Sequence, residues 1–349
     1  MARTRFVLLV ILLGAFLAQA RISSSQSKSG FPATPSRALC EQILSWLPAD
    51  TETVIGATGP LSLPATRKES GGTIAIEKSG DEVGDVFKEQ SLLLLLTLSG
   101  NFKDHPIVMA VEGSRDFKPP TGLGMALYQG ASISVFASDI SASAAEFFKE
   151  SAATIVQTEQ LEGQQVAVFK QKSEEDIWTT YVAFPKPNIA IVATDEDYLR
   201  EVLARMNGKK GDRALPDSLP EWQYTNTQSE FWAVRHFRGN TGKPSLTSGF
   251  GYITGEIKYD NRAIGLAFSF NPEKSKIATV TYLSANENTL QSIQKSLFNE
   301  REQGGIELHA RYREISRSAL EGSYNVELEA SAVYFTFVLD ALLGHAIAL

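Results

Sequence analysis

The stretch TIVQTEQLEGQQVAVFKQKSEEDIWTTYVAFPKPNIAIVATDEDYLREVLARM, residues 154–206, decides how this chain is built. Its first part holds four short runs, Thr154–Leu161, Gln165–Lys170, Ile177–Phe184 and Ile189–Ala193. They are divided by turn chemistry at Glu162-Gly163, at the charged Ser173–Asp176 and at Pro185-Lys186-Pro187-Asn188. Short strand-like runs with turns at that spacing predict an antiparallel meander. The apolar period then changes from two to that of a helix. Tyr198, Leu199, Val202, Leu203 and Met206 fall on one helical face, and Asn207-Gly208 closes it. Thr194 reads as the cap, with Asp197 three residues on as in a capping box and three acids at the positive helix end. A run of strands followed by a helix predicts an α+β fold.

Working outward, Leu39, Ile43, Leu44 and Leu47 recur at helical spacing and Pro48 stops them, before a first strand at Thr53–Ala57. Asp85–Leu98, apolar on all sides at Leu92–Leu96, predicts a buried helix. Strands follow at Ile107–Val111 and Gly124–Phe136, then a helix at Ala142–Ser151. Beyond residue 208 the polar Lys209–Pro220, with two prolines, predicts a linker. The second part repeats the element types. Strands are expected at Phe231–Phe237, Gly251–Tyr259, Ala263–Phe270 and Ile277–Leu283, with a hairpin-like Asp260-Asn261, then a helix near Asn288–Asn299. A hairpin of Ile306–Ile315 with Tyr324–Ala330 and an apolar helix from Ala332 to Ile347 complete it. Asp340 and His345 inside that last helix favour packing on a sheet over spanning a membrane. The reading is therefore two antiparallel-sheet units backed by helices, over 36–208 and 221–349 with the linker 209–220 between. Their common element order suggests an internal duplication.

The beginning of the chain carries an address. Arg3 and Arg5 precede the twelve-residue apolar run Phe6–Leu17, and Ala18-Gln19-Ala20 is a small-x-small site. This predicts a cleaved signal peptide over 1–20. An uncleaved anchor would need a longer run, since a spanning helix takes about 20 residues. Arg21–Pro35, rich in Ser, Gly, Pro and Lys, predicts a disordered tether. Export leads to an oxidising compartment, yet the lone Cys40 can form no disulfide within the chain and reads as a small buried hydrophobe.

Composition narrows the function. Of 349 residues, 43% are hydrophobic and 21% charged, which fits neither a disordered chain nor a multi-span membrane protein. With 33 basic against 40 acidic residues the net charge is -7, and loss of Arg3 and Arg5 with the leader makes the mature chain more acidic still. That balance argues against a nucleic-acid partner, whose binding rests on excess Lys and Arg.

Two groups of residues are candidate ligand sites. In Ile306–Arg313 strict alternation puts His309, Arg311 and Arg313 on one face with Glu307. They form either an anion-binding stripe or a solvated face paired with Glu327 and Glu329 on the hairpin partner. Trp222, Tyr224 and Trp232, close to Phe231 and Phe237, could stack sugars or peptides or simply pack a sheet. For catalysis, His105, His236, His309 and His345 are far apart in sequence and no His-Glu-x-x-His occurs. No nucleophile elbow, phosphate loop or dinucleotide fingerprint is present either, so neither a metal nor a cofactor is called for. Glu174-Glu175-Asp176 and Asp195-Glu196-Asp197 read as a turn and a helix start.

Leu47-Pro48-Ala49-Asp50-Thr51 leading into a strand, and Ala193-Thr194-Asp195-Glu196-Asp197-Tyr198-Leu199-Arg200-Glu201-Val202-Leu203 following one, give the chain a likeness. It resembles exported bacterial proteins of unknown function whose mature domain opens with Leu-Pro-Ala-Asp-Thr, most clearly over residues 40–206. The resemblance implies export and a strand-rich α+β fold, and carries over no catalytic residue. The expectation is a soluble exported protein, periplasmic or extracellular. It acts as a non-enzymatic binding or interaction module on an envelope protein or polymer. The alternative is a hydrolase of an envelope or extracellular polymer working through dispersed carboxylates.

Overall fold

Cys40, Ile43, Leu44 and Leu47 share one helical face, and in the structure, a computed structural model, all four are buried. The structure describes residues 37–61, 102, 104–115, 129–150, 157–172, 177–229, 231–236, 245–246, 257–258, 263–270, 277–284, 287–288, 290–291 and 310–325. The leader, the tether, the expected helices at 85–98 and 332–347 and residue His309 lie outside them, as do Asp260-Asn261. Over the described residues the chain is mostly antiparallel sheet with three α-helices. They fall into two compact units. One draws on Met1–Pro48, Thr58–Glu112 and Gln129–Gly211, the other on Ala49–Ala57, Gly113–Tyr128 and Asp212–Leu349.

In the first unit, α1 (Arg37–Trp46) packs against α3 (Glu196–Met206). Strands β2 (Ile107–Arg115), β3 (Gln129–Phe136), β4 (Gln157–Leu161), β5 (Gln164–Lys172), β6 (Ile177–Lys186) and β7 (Ile189–Ala193) lie in the order β2-β3-β7-β6-β5-β4. The four meander strands thus form where the sequence places them, and β7 returns beside β3 with Ile133 opposite Ile191. Between β4 and β5, Glu162 at φ 50° and Gly163 at φ 76° make the doubly left-handed turn that matches strand twist. Asn207 Nδ2 donates to the Glu162 carbonyl at 2.8 Å and holds the unusual residue in place. All five β7 residues are buried, as suits a strand covered on both faces.

Helix α2 (Ser141–Glu150) brings Phe147 onto this sheet. The core joins Phe102, Phe136, Phe147, Val182 and Val192, with Phe148, Phe169 and Phe184 against it. Phe184 packs against it at the core's edge, with Phe102 stacked at 5.5 Å and Phe147 edge-on at 5.6 Å, both favourable ring geometries. One local expectation is corrected. The cap of α3 is Asp195, whose Oδ1 accepts from the Tyr198 amide at 2.7 Å, while Thr194 Oγ1 accepts from the Gly130 amide. A carboxylate at the helix start satisfies an orphan amide and meets the positive end of the dipole, so it outcompetes the hydroxyl.

In the second unit the order is β1-β8-β11-β12-β14-β13, drawn from β1 (Thr53–Leu61), β8 (Phe231–His236), β11 (Ala263–Phe270), β12 (Ile277–Ser284), β13 (Ala310–Ser316) and β14 (Ala319–Asn325). A separate ladder pairs β9 (Ser245–Leu246) with β10 (Ile257–Lys258), within the expected Gly251–Tyr259 run. The hairpin differs from expectation. The partner of β13 is Ala319–Asn325, not Tyr324–Ala330, because the chain turns at once at Arg317-Ser318. Ser318 donates its amide to Ser316 Oγ at 3.2 Å, a local side-chain turn bond that the hydrophobic pattern does not reveal. Helical residues at 287–288 and 290–291 include the buried Leu290.

Candidate functional site

The second unit assembles its site on one face of β8. Trp232, Val234 and His236 alternate onto that face, and the 3-10 turn Pro220–Tyr224 packs on β8, β11 and β12. Pro220 at the first position of that turn gives up no hydrogen bond, since the first amide has no partner in the turn. Opposite Trp232 on β1 stands Gly56. A Cβ there would lie 1.9 Å from the Trp232 ring, so only glycine lets the indole lie across β1. Trp222 then meets Trp232 at 6.2 Å and 55°. It donates Nε1–H to the Leu215 carbonyl at 2.9 Å and carries the Arg213 guanidinium 5.1 Å from its ring centroid. Ala214 and Leu215, inside the stretch read as a linker, are fully buried.

Beside these rings lies Glu221, with no solvent exposure. Its Oε1 is 2.8 Å from His236 Nδ1, and its Oε2 has no hydrogen-bond partner. Burying a carboxylate is costly unless paired, so Glu221 depends on His236 for its compensation. The His236 side chain keeps 23% of its exposure, so the pair joins the interior to the surface. Its backbone is fixed by its amide bond to the Glu52 carbonyl. The arrangement holds an imidazole in one orientation by a buried carboxylate and leaves Nε2 for another group.

The six sequence candidates are partly brought together. Trp222 and Trp232 are in contact, Trp232 buried and Trp222 half-buried, and Tyr224 is half-buried at the end of the same turn. Arg311 and Arg313 are exposed. Arg313 Nη2 donates to Glu321 Oε1 at 2.8 Å, so this arginine is paired across the hairpin, with a different glutamate from those expected. The register Val234–Ala267–Thr281–Glu321–Arg313 puts Arg313 in the same row as Val234. Four strand spacings separate them, about 19 Å, so the basic stripe and the aromatic cluster are not one site. Glu221 and His236 were not singled out by the sequence. The signal available was His236 at the end of the alternation Trp232, Val234, His236, a polar residue where an apolar one would continue the face.

Among the described residues no group of three or more His, Cys, Asp or Glu could hold a metal ion, and no helix is long and apolar enough to cross a membrane. Compared with protein families, with curated proteins and with solved structures, the chain matches none of them.

Proposed function

We propose that this chain is an exported bacterial binding module that takes its ligand at the Trp222–Glu221–His236 face of the second unit. The observation that carries the reading is the pairing of a half-buried Trp222, on the turn that also carries Glu221, with a His236 imidazole that the buried Glu221 carboxylate holds while it keeps part of its exposure. A ligand with a hydrogen-bonding group for His236 and a flat apolar face for Trp222, such as a sugar or peptide unit of an envelope polymer or protein, fits that chemistry. Export rests on the leader-like Met1–Ala20 and on the likeness to exported proteins that open with Leu-Pro-Ala-Asp-Thr.

The test is a thermal-shift screen of the chain lacking residues 1–20 against envelope saccharides and peptides, because a ligand of the native state raises its apparent stability. A hit whose shift disappears in Trp222→Ala supports the reading. A hit unaffected by that change, or none across the screen, counts against it. Cell fractionation of the full chain with a C-terminal tag tests export, and retention in the cytoplasm refutes it.

One observation favours a second reading, a hydrolase of an envelope or extracellular polymer. Glu221 and His236 converge as an orienting carboxylate and a base do in acyl-transfer enzymes. Polymer breakdown abolished by His236→Gln would move the balance to it.

The finer architecture belongs to the same proposal. We infer an internal duplication from a likeness in the order of elements within each unit. In one, β2 and β3 lead to α2 and a meander whose last strand, β7, returns beside β3. In the other, β11 and β12 lead to the helical residues at 287–288 and 290–291 and a hairpin whose last strand, β14, returns beside β12.

A further inference from the structure

The start of α2 in the first unit gathers a histidine and two serines. His105 Nδ1 lies 2.8 Å from Ser138 Oγ, and His105 Nε2 lies 3.2 Å from Ser143 Oγ. The frame under them is tied down. The Ala137 amide donates to the Pro106 carbonyl at 2.9 Å, the Ile140 amide to the Pro187 carbonyl at 2.6 Å, and the Phe136 amide to the Asn188 carbonyl at 2.9 Å. Phe136, Ile140, Ala144 and Phe147 anchor the same segment in the aromatic core. Reactive groups held on a rigid frame keep their geometry without a substrate to order them.

The chemistry of the three side chains is that of an activated hydroxyl. With Nδ1 protonated, His105 donates to Ser138 Oγ, which leaves Nε2 to accept from the Ser143 hydroxyl. Ser143 lies in the first turn of α2, which contains no acidic residue. The Ser141 amide at that end is taken by Asp139 Oδ1, and the other first-turn amides, which have no intrahelical acceptor, carry the partial positive charge that favours an oxyanion formed beside them. Asp139 stands next to Ser138 and is held below the usual carboxylate range by its side-chain and backbone hydrogen bonds from Ser141, and least by the charge of His105. An ionised Asp139 favours the imidazolium that forms when His105 takes a proton.

We propose that Ser143 is a catalytic nucleophile with His105 as its general base and Ser138 as the positioning residue, acting on small, accessible carboxylic esters. Ser143 Oγ attacks the ester carbonyl carbon as its proton passes to His105 Nε2. The carbon–oxygen bond to the alcohol breaks, and the alcohol leaves with that proton. Water then attacks the acyl-Ser143 ester with His105 again taking the proton, and the carboxylic acid is released with Ser143 restored. The cluster is open to solvent, so the class of substrate is the activated or small-acyl ester rather than a deeply bound polymer.

The test uses the chain without residues 1–20 and a fluorophosphonate, which reacts with activated serines, with the labelled residue located by peptide mass. Labelling at Ser143 is expected, lost in Ser143→Ala and slowed about 100-fold in His105→Gln, the usual share of a general base. Ser138→Ala should slow labelling and Ser138→Thr, which restores the hydroxyl, should recover it. An unchanged far-UV spectrum shows that each variant is folded, as expected for side chains that are exposed or half-buried. No labelling, labelling at another residue, or labelling that survives His105→Gln overturns the proposal.

Discussion

The two units solve the problem of burying charge in opposite ways. In the first, the buried cation Arg205 donates from Nε and Nη2 to Glu201, one helical turn back, and Glu201 keeps 30% of its side-chain exposure. In the second, the carboxylate Glu221 is itself sealed and its partner His236 is the one that reaches solvent. A solvated carboxylate retains its hydration while it neutralises the arginine, so the first arrangement costs little. A sealed carboxylate depends entirely on what the protein supplies, and Glu221 receives a donor at only one oxygen. The units differ in the same sense in their cores, one a knot of phenylalanines and the other a tryptophan pair beside an acid. The two arrangements therefore differ in which member of the pair keeps its water, the carboxylate in the first unit and the imidazole in the second.

The largest expected effect on this comparison comes from Gly56→Val. The new side chain cannot coexist with the Trp232 indole, whose nearest atom would lie 1.9 Å from its Cβ. Overpacking of a core position costs about 1–3 kcal/mol, and separation of β1 from β8 adds the loss of the buried Trp232 packing, about 3–5 kcal/mol more. Hydrogen exchange should show protection lost in β8 and β11 while β5–β7 keep theirs. Equal loss in both sets would break the distinction between the units.

Next in size is His236→Ala. It leaves the Glu221 carboxylate buried with no donor, a loss of about 3–5 kcal/mol by urea denaturation. Adding Glu221→Leu to the same chain should recover most of it, because the unpaired charge is then gone. A loss below about 1 kcal/mol in the single variant would mean that Glu221 is solvated and that the contrast with Glu201 does not hold.

The smallest effect belongs to Tyr181 in the first unit. Burial raises its pKa first, and Glu196, Glu159, Asp195 and Asp197 raise it further. The folded state therefore keeps the phenol proton to higher pH than the unfolded state does. Stability is unaffected below the unfolded value, near 10, and falls as pH rises from there through the folded value. Tyr181→Phe should flatten that fall in the urea midpoint between pH 9 and pH 11. An identical fall in both proteins would remove Tyr181 from the account.

Much of the first unit was legible in sequence. The meander is bounded by Glu162-Gly163 and Pro187-Asn188, whose conformational preferences are local, and the faces of α1 and α3 follow from helical spacing. The α3 cap was misplaced by one residue, because a hydroxyl and a carboxylate side by side both fit the motif and only backbone geometry chooses between them. The β13–β14 hairpin was misread because its turn, Arg317-Ser318, has no glycine, proline or asparagine to announce it. Of the site, Trp222, Tyr224 and Trp232 could be seen as a cluster, since aromatics close in sequence are conspicuous. Glu221 and His236 could not, because an isolated histidine has no pattern.

What the sequence determined by itself is what is decided within a few residues: strand and helix identity, the turns marked by glycine, proline or asparagine, and the burial of Cys40 on the inner face of α1. What only the tertiary structure decided is what depends on strand register. It set Gly56 under Trp232, Glu221 against His236, and Arg313 in a row with Val234 but four strands away. The physical reason is that register is set by long-range pairing between faces that look alike in sequence, and a slip of one residue would have exchanged every one of these partners.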